Sequence, residues 1–245
     1  MSQAAEIGRP APGAQCADAI GKILDGVFGT LQLWRVAVED GLAAGADVDQ
    51  LAFDLVKPAL TESQPLLIGA GFIAAQGVVS AASGLHFAWW LGPLKDNPML
   101  GTTSVPTRLD LPAREYADYL RDFHALEWYR VPEATGARHI TGPYVDHLCT
   151  LDYLLTITAP VVSAGAMVGV VGADVQVLRL EHEVLPLLRA VGEPAALVSR
   201  SGRVVISTMP SLPVGSLVAA ADGAGALTWF DCPGSTLAVV VGARR

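Results

Sequence analysis

The sequence predicts an α+β fold: a long N-terminal helix, a mixed lobe with antiparallel sheet, and a smaller β lobe. Three observations carry this. Ile20, Leu24, Val27, Leu31, Trp34 and Val38 recur at alternating steps of four and three, which keeps one apolar seam on a helix. Three later stretches read as pairs of apolar runs broken by turn residues, the signature of hairpins. Helical and hairpin segments are also grouped along the chain, where a parallel sheet would alternate them.

The elements follow in order. Residues 1–14 form a flexible lead, and the first helix is expected from Gln15 to Leu42. Gly21, Gly26 and Gly29 weaken its intrinsic propensity, so something must pack against it. The seam packs along the chain's own domain or forms a homodimer, and both can hold on different faces; a homodimer through this helix is expected. Asp47 is placed to cap a second helix reaching Lys57, which Pro58 ends or kinks. The helical segment spans 15–62. From Leu66 to Leu91 the pattern turns β-like, and DLPAREYADYLRDF, residues 110–123, reads as helix. Trp128 and Tyr129 are adjacent; on a strand they would point to opposite faces. LDYLLTITAPVV, SAGA and MVGVVGADVQV make a hairpin over 151–177, and a short helix follows at 180–191. AALVSRSGRVVIST turns at Ser201-Gly202, and ALTWFDCPGSTLAVVVGA turns at Pro233-Gly234. The lobes are thus expected at 63–180 and 181–245.

Composition excludes several classes. Hydrophobic residues make up 51% and charged residues 16% of the 245, so the chain has material for a substantial core. A net charge of −8 argues against nucleic acid and anionic membrane as partners. Residues 63–94 and 153–173 lack Asp, Glu, Lys and Arg, but their Gly, Pro, Ser and β-branched content fits buried strands better than membrane spans. No basic, apolar leader opens the chain, and Cys16, Cys149 and Cys232 have neither disulfide-framework nor zinc spacing, so a cytoplasmic location is expected.

The run WYR…GPYVD…LTITAPVVSAGAMVGVVGADVQVLRLE, Trp128 to Glu181, resembles the first lobe of double Cache domains, PAS-like sensor modules. AALVSRSGRVVIST resembles the opening hairpin of their smaller second lobe. The resemblance implies two PAS-like antiparallel-sheet lobes behind a long helix, the second lobe smaller. It implies a small-molecule ligand in the first lobe, held by Trp128, Tyr129, Tyr144 and Asp174. Amino-acid-binding members carry an arginine for the ligand carboxylate two residues before the Trp. Here that position is Leu126, which donates no hydrogen bond. The expected ligand is therefore an amine, held by aromatic faces and one carboxylate, unless Arg121 or Arg130 supplies the guanidinium. The family's receptors carry transmembrane helices and signalling domains; neither is evident here, so the expectation is a free-standing module that signals through an unknown partner or its dimer.

Bland readings stand beside these. The aromatics pack a sheet, Tyr144 anchors a turn, Asp174 bonds loop amides, and the whole is an interaction module with a filled pocket; or the ligand is a small carboxylate or amino acid. No cofactor, metal site or enzymatic activity is expected. Cys149 after His147 is not a catalytic pair, Ser163 and Ser201 lack a nucleophile elbow, the histidines lack metal-ligand spacing, and VVGADV lacks the dinucleotide glycines.

Overall fold

The computed structural model describes residues 10–79, 86–95, 97, 101–109, 125–147, 150–218 and 227–242. The chain divides into two compact units, residues 25–181 and residues 1–24 with 182–245. The helix expected at 110–123, Arg121 and Cys149 lie outside the described residues.

Helix α1 runs over Pro12–Ala44, so it begins inside the expected lead. Its heptad is spent within the chain: Ile20, Leu24, Val27, Leu31, Trp34 and Val38 are all buried. The seam is thus core. The outward face carries Gly26 and Gly29, where an added Cβ would meet nothing within 4 Å, and exposed Leu33 and Val36. Helix α2, Val48–Leu60, starts where Asp47 accepts a hydrogen bond from the Gln50 N–H at 3.1 Å. Pro58 does not end it; the helix continues through Ala59 and Leu60.

The larger unit is organised on a six-stranded antiparallel sheet in the order β3-β2-β1-β6-β5-β4. The strands are β1 Leu67–Ala74, β2 His86–Leu91, β3 Thr107–Arg108, β4 His139–Val145, β5 Tyr153–Ser163 and β6 Ala166–Gln176. One face, with Ala70, Phe72, Trp90, Ile157 and Ala173, is buried; α2 packs on its β1–β2 end, where Phe53 meets Trp90 at 5.5 Å between ring centroids. Asp49 of α2 also accepts from Arg108 at 2.8 Å and contacts His86 at 2.8 Å, tying the helix to the sheet edge.

The other face is covered by helix α3, Glu127–Thr135. Trp128 and Tyr129 therefore sit on a helix, where the sequence suggested strand. The helix is short and mean-polar, and it holds Pro132, so periodicity carried little signal. Its position is set by tertiary bonds: Thr158 Oγ1 donates to the Trp128 carbonyl at 2.9 Å, and His139 Nε2 meets Glu127 Oε1 at 2.8 Å.

The smaller unit holds a four-stranded antiparallel sheet in the order β8-β7-β10-β9, formed by β7 Ala195–Ser199, β8 Val204–Ser207, β9 Leu227–Asp231 and β10 Leu237–Gly242. The β7–β8 hairpin turns at the expected Ser201-Gly202, with Gly202 at φ +79°. Helix α4, Val177–Ala190, leads into this unit. The start of α1 lies against the β9–β10 hairpin: a Cβ at Gly13 would run into the Phe230 ring, and one at Gly21 would stand 2.9 Å from Pro233 Cδ. Cys16 and Cys232, both buried here, have their thiols pushed up by desolvation to about 11 and about 12. Among the described residues no helix is long and apolar enough to cross a membrane.

Candidate functional site

Asp174 enters a mainly apolar strand, β6. On β6 it pairs in register with Gly69 of β1 and Thr156 of β5. Direct cross-strand partners share a face, so these three point to the α3 side. Thr156 Oγ1 donates to Asp174 Oδ1 at 2.6 Å and lies 2.6 Å from the Tyr144 hydroxyl. With the Thr156 proton given to the carboxylate, Tyr144 must be the donor of the second bond. The result is a relay, Tyr144 to Thr156 to Asp174, which orients all three groups.

A β-bulge makes the relay reachable. Thr141 pairs with Thr156, whereas Tyr144 pairs with Leu154. Three steps on β4 oppose two on β5, and Gly142 absorbs the extra residue at φ +117°. Thr141 and Tyr144 consequently share one face. Thr141 Oγ1 is buried and has no hydrogen-bond partner among the described residues.

Burial is the main force on Asp174. Desolvation pushes its carboxyl up to about 7, opposed by the Thr156 hydrogen bond and assisted by the nearby Asp146 charge. The residue nevertheless keeps intermediate exposure. No hydrogen bond to Oδ2 is present among the described residues, so one oxygen stays available. Asp146 and Asp152 are loop residues: Asp146 accepts from the Thr150 N–H at 2.9 Å and Asp152 from Gln176 Nε2 at 2.7 Å.

The aromatics divide. Trp128 is half-buried and stands edge-on to Tyr129, with centroids 5.9 Å apart. Tyr129 is 1% exposed and packs with Ile73, Trp89, Leu91, Leu109 and Val170. Desolvation, with the Glu133 charge, pushes its hydroxyl up to about 12. Ile73, Trp89, Leu91 and Val170 share the sheet face of Asp174, so Tyr129 packs directly on that face, and Trp128 packs against the same cluster, half-buried. Leu126, at the N-cap position of α3, packs on the same cluster, and Arg130 is exposed.

Trp89, in β2, is a further aromatic near these residues. It is buried, and it also reaches into the site. A Cβ at Gly69 would stand 2.9 Å from Trp89 Nε1 and 3.2 Å from Asp174 Oδ2; one at Gly172 would stand 3.3 Å from Trp89 Cη2. The indole therefore lies across bare backbone on β1 and β6. The only sequence signal for it was the density of glycines, Gly69, Gly71 and Gly172, in strands that otherwise favour β-branched residues. No three His, Cys, Asp or Glu side chains cluster as metal ligands among the described residues.

No family model and no curated protein matches the chain. Solved structures do. The ligand-binding domain of the Pseudomonas fluorescens chemoreceptor CtaA, in complex with L-valine, is 19% identical, with a TM-score of 0.61 over 96% of this chain and 94% of that one. The domain of the Pseudomonas aeruginosa PAO1 amino acid chemoreceptor PctC, in complex with GABA, is 20% identical, with a TM-score of 0.52 over 95% and 97%. An extracellular domain assigned to a histidine kinase, mmHK1S-Z3, is 15% identical, with a TM-score of 0.66 over 95% and 92%. What is shared at these identities is the fold: the long helix, the six-stranded sheet and the smaller four-stranded sheet are those of a double Cache fold.

Proposed function

We propose that the chain is a small-molecule sensor module whose larger unit binds a cationic amine against Asp174. The observation that carries this is a carboxylate set in an apolar sheet with one oxygen bonded by Thr156 and the other left without a partner among the described residues. An ionised carboxylate in such surroundings is costly unless it is paired, and an ammonium pairs it. Trp128 adds an aromatic face for the cation, worth about 0.5–2 kcal/mol. Tyr144 holds Thr156, and through it the carboxylate, in place. Tyr129 serves by fixing Trp128. The ligand-bearing neighbours were solved with amino acids or GABA, each carrying an amine. Leu126, which packs on the hydrophobic cluster, offers nothing to a carboxylate, and this favours amines over α-amino acids.

Within the same proposal the module works in the cytoplasm and passes its signal to a partner or a second copy. Partition of the expressed protein into the membrane fraction would contradict that placement. The ligand assignment is tested by calorimetry with a panel of primary amines, amino acids and dicarboxylates. Asp174→Asn should weaken amine binding about ten- to a hundredfold, the loss of one charge-assisted hydrogen bond. Equal binding by the variant, or binding of dicarboxylates alone, removes the assignment. A second reading, a structural module with a self-filled pocket, draws on the burial of Tyr129 and Leu126 in one cluster, and it predicts that nothing in the panel binds.

A further inference from the structure

Helix α3 lacks one hydrogen bond that its own sequence cannot make. In an α-helix the carbonyl of each residue accepts from the N–H four residues on. Four residues after Trp128 stands Pro132, which has no N–H and whose ring crowds the carbonyl behind it. The Trp128 carbonyl therefore needs a donor from outside the helix. Thr158 of β5 provides it: Oγ1 donates to that carbonyl at 2.9 Å, from a residue 1% exposed.

The place of Thr158 in the sheet matters as much as its hydroxyl. It lies two residues from Thr156 on the same strand, so it shares the face of Asp174. Its register partner on β4 is His139, and cross-strand partners share a face. His139 Nε2 meets Glu127 Oε1 at 2.8 Å. One pair of strand residues thus grips two consecutive residues in the first turn of α3, Glu127 and Trp128. The N-cap residue, Leu126, adds no side-chain bond of its own. The two grips differ in weight. The Glu127 side chain is half-exposed, so its bond to His139 contributes little in water. The Thr158 bond is buried, and losing it leaves a desolvated carbonyl unpaired. Apolar packing of Tyr129 holds the helix on the sheet, but burial has no direction. A hydrogen bond has one, and it fixes how the helix is turned and where the Trp128 ring lies.

We propose that Thr158 is a positioning residue of the amine site: it holds the Trp128 ring against the sheet face that carries Asp174, in place of the helix bond that Pro132 removed. This rests on the amine reading, in which Trp128 supplies the aromatic face for the cation. Thr158 acts through the Trp128 backbone and touches no ligand itself. Pro132 and Thr158 form a functional pair, because the proline creates the need that the hydroxyl meets.

The test uses n-propylamine as probe, with affinities from calorimetry. Thr158→Val removes the donor and nearly keeps the shape. It should weaken binding about three- to tenfold, the contribution of a partly exposed aromatic face to a cation. Thr158→Ser keeps the hydroxyl and should restore binding to within about twofold of wild type. Two double-mutant cycles separate positioning from general damage. In a Trp128→Ala background, which keeps the carbonyl and loses the ring, Thr158→Val should weaken binding no further. In a Pro132→Ala background, which gives the carbonyl its helical N–H again, Thr158→Val should have little effect. Thr158→Ala removes the same donor and replaces Thr158→Val if that variant does not fold. Wild-type affinity in Thr158→Val, or an equal loss with and without the Trp128 ring, overturns the role of Thr158 and leaves the amine reading standing. Failure of the wild-type protein to bind n-propylamine removes the amine reading and this inference together.

Discussion

Asp174 is where a single residue decides chemistry. Its carboxyl titrates near 7 in the fold against an ordinary value of 3.8. Between those values the folded chain holds a proton that the unfolded chain has released. Stability from this group is therefore full below about pH 4, falls as pH rises to about 7, and is flat above. Without ligand, Asp174→Asn should remove this decline and raise stability at pH 8 by about 1–3 kcal/mol; we take less than the whole shift because the residue keeps intermediate exposure. Thermal melts from pH 4 to 8 check it, and a decline unchanged in the variant assigns it to other groups. Amine affinity has the opposite slope. It requires the ionised carboxylate, so it should fall about tenfold for each pH unit below 7. Leu126→Arg offers a converse test at the other end of the site. A guanidinium there should shift preference from amines toward α-amino acids by about tenfold, read by calorimetry. An unchanged preference would mean that position 126 does not address the ligand.

At the scale of elements, α1 shows what a heptad does and does not imply. A seam of this spacing demands an apolar partner, and here the chain supplies it, with Leu24 at 1% and Leu31 at 0% exposure. Leu24→Glu and Leu31→Glu should each cost about 3 kcal/mol or more, by leaving a buried charge unpaired, and should be seen as lost cooperativity in thermal melts. Leu33→Glu, on the exposed face at 72%, should stay within about 0.5 kcal/mol. Any pairing of two chains along α1 is then confined to the Gly26–Gly29–Leu33–Val36 face, and light scattering on Leu33→Glu examines it. The tryptophan and tyrosine pairs teach a related lesson. Alternation across a strand does hold for Trp89 and Trp90, which face opposite sides of the sheet. It does not hold for Trp128 and Tyr129, because nine residues of helix were placed there by bonds from β4 and β5.

At the scale of the molecule, the candidate site lies wholly within residues 25–181, and the start of α1 belongs to the other compact unit. Gly21→Val should therefore separate stability from binding. A Cβ there would stand 3.0 Å from the Pro233 carbonyl oxygen and 3.1 Å from its nitrogen, backbone atoms that cannot give way locally. We expect a loss of about 1–3 kcal/mol in the smaller unit, with amine affinity unchanged. Hydrogen exchange at β9 and β10 reports the first, calorimetry the second. A loss of amine affinity in step with the exchange would show that the site depends on more than its own unit.

Much of this was legible in the residues themselves. The α1 seam, the Asp47 cap and the three hairpins rest on signals within a few positions of one another, and helix period, capping and turn chemistry act at that range. Asp174 stood out because a carboxylate in an apolar strand is costly wherever the strand ends up. What covers a face is a different matter. The destination of the α1 seam, the helical state of Trp128 and Tyr129, the bulge that turns Thr141 and Tyr144 to one side, and the position of the Trp89 indole above Gly69 were decided only by strands far apart in sequence meeting in register. Tertiary structure likewise decided the titration of Asp174, since desolvation is a property of everything around a group and of nothing in its own covalent neighbourhood.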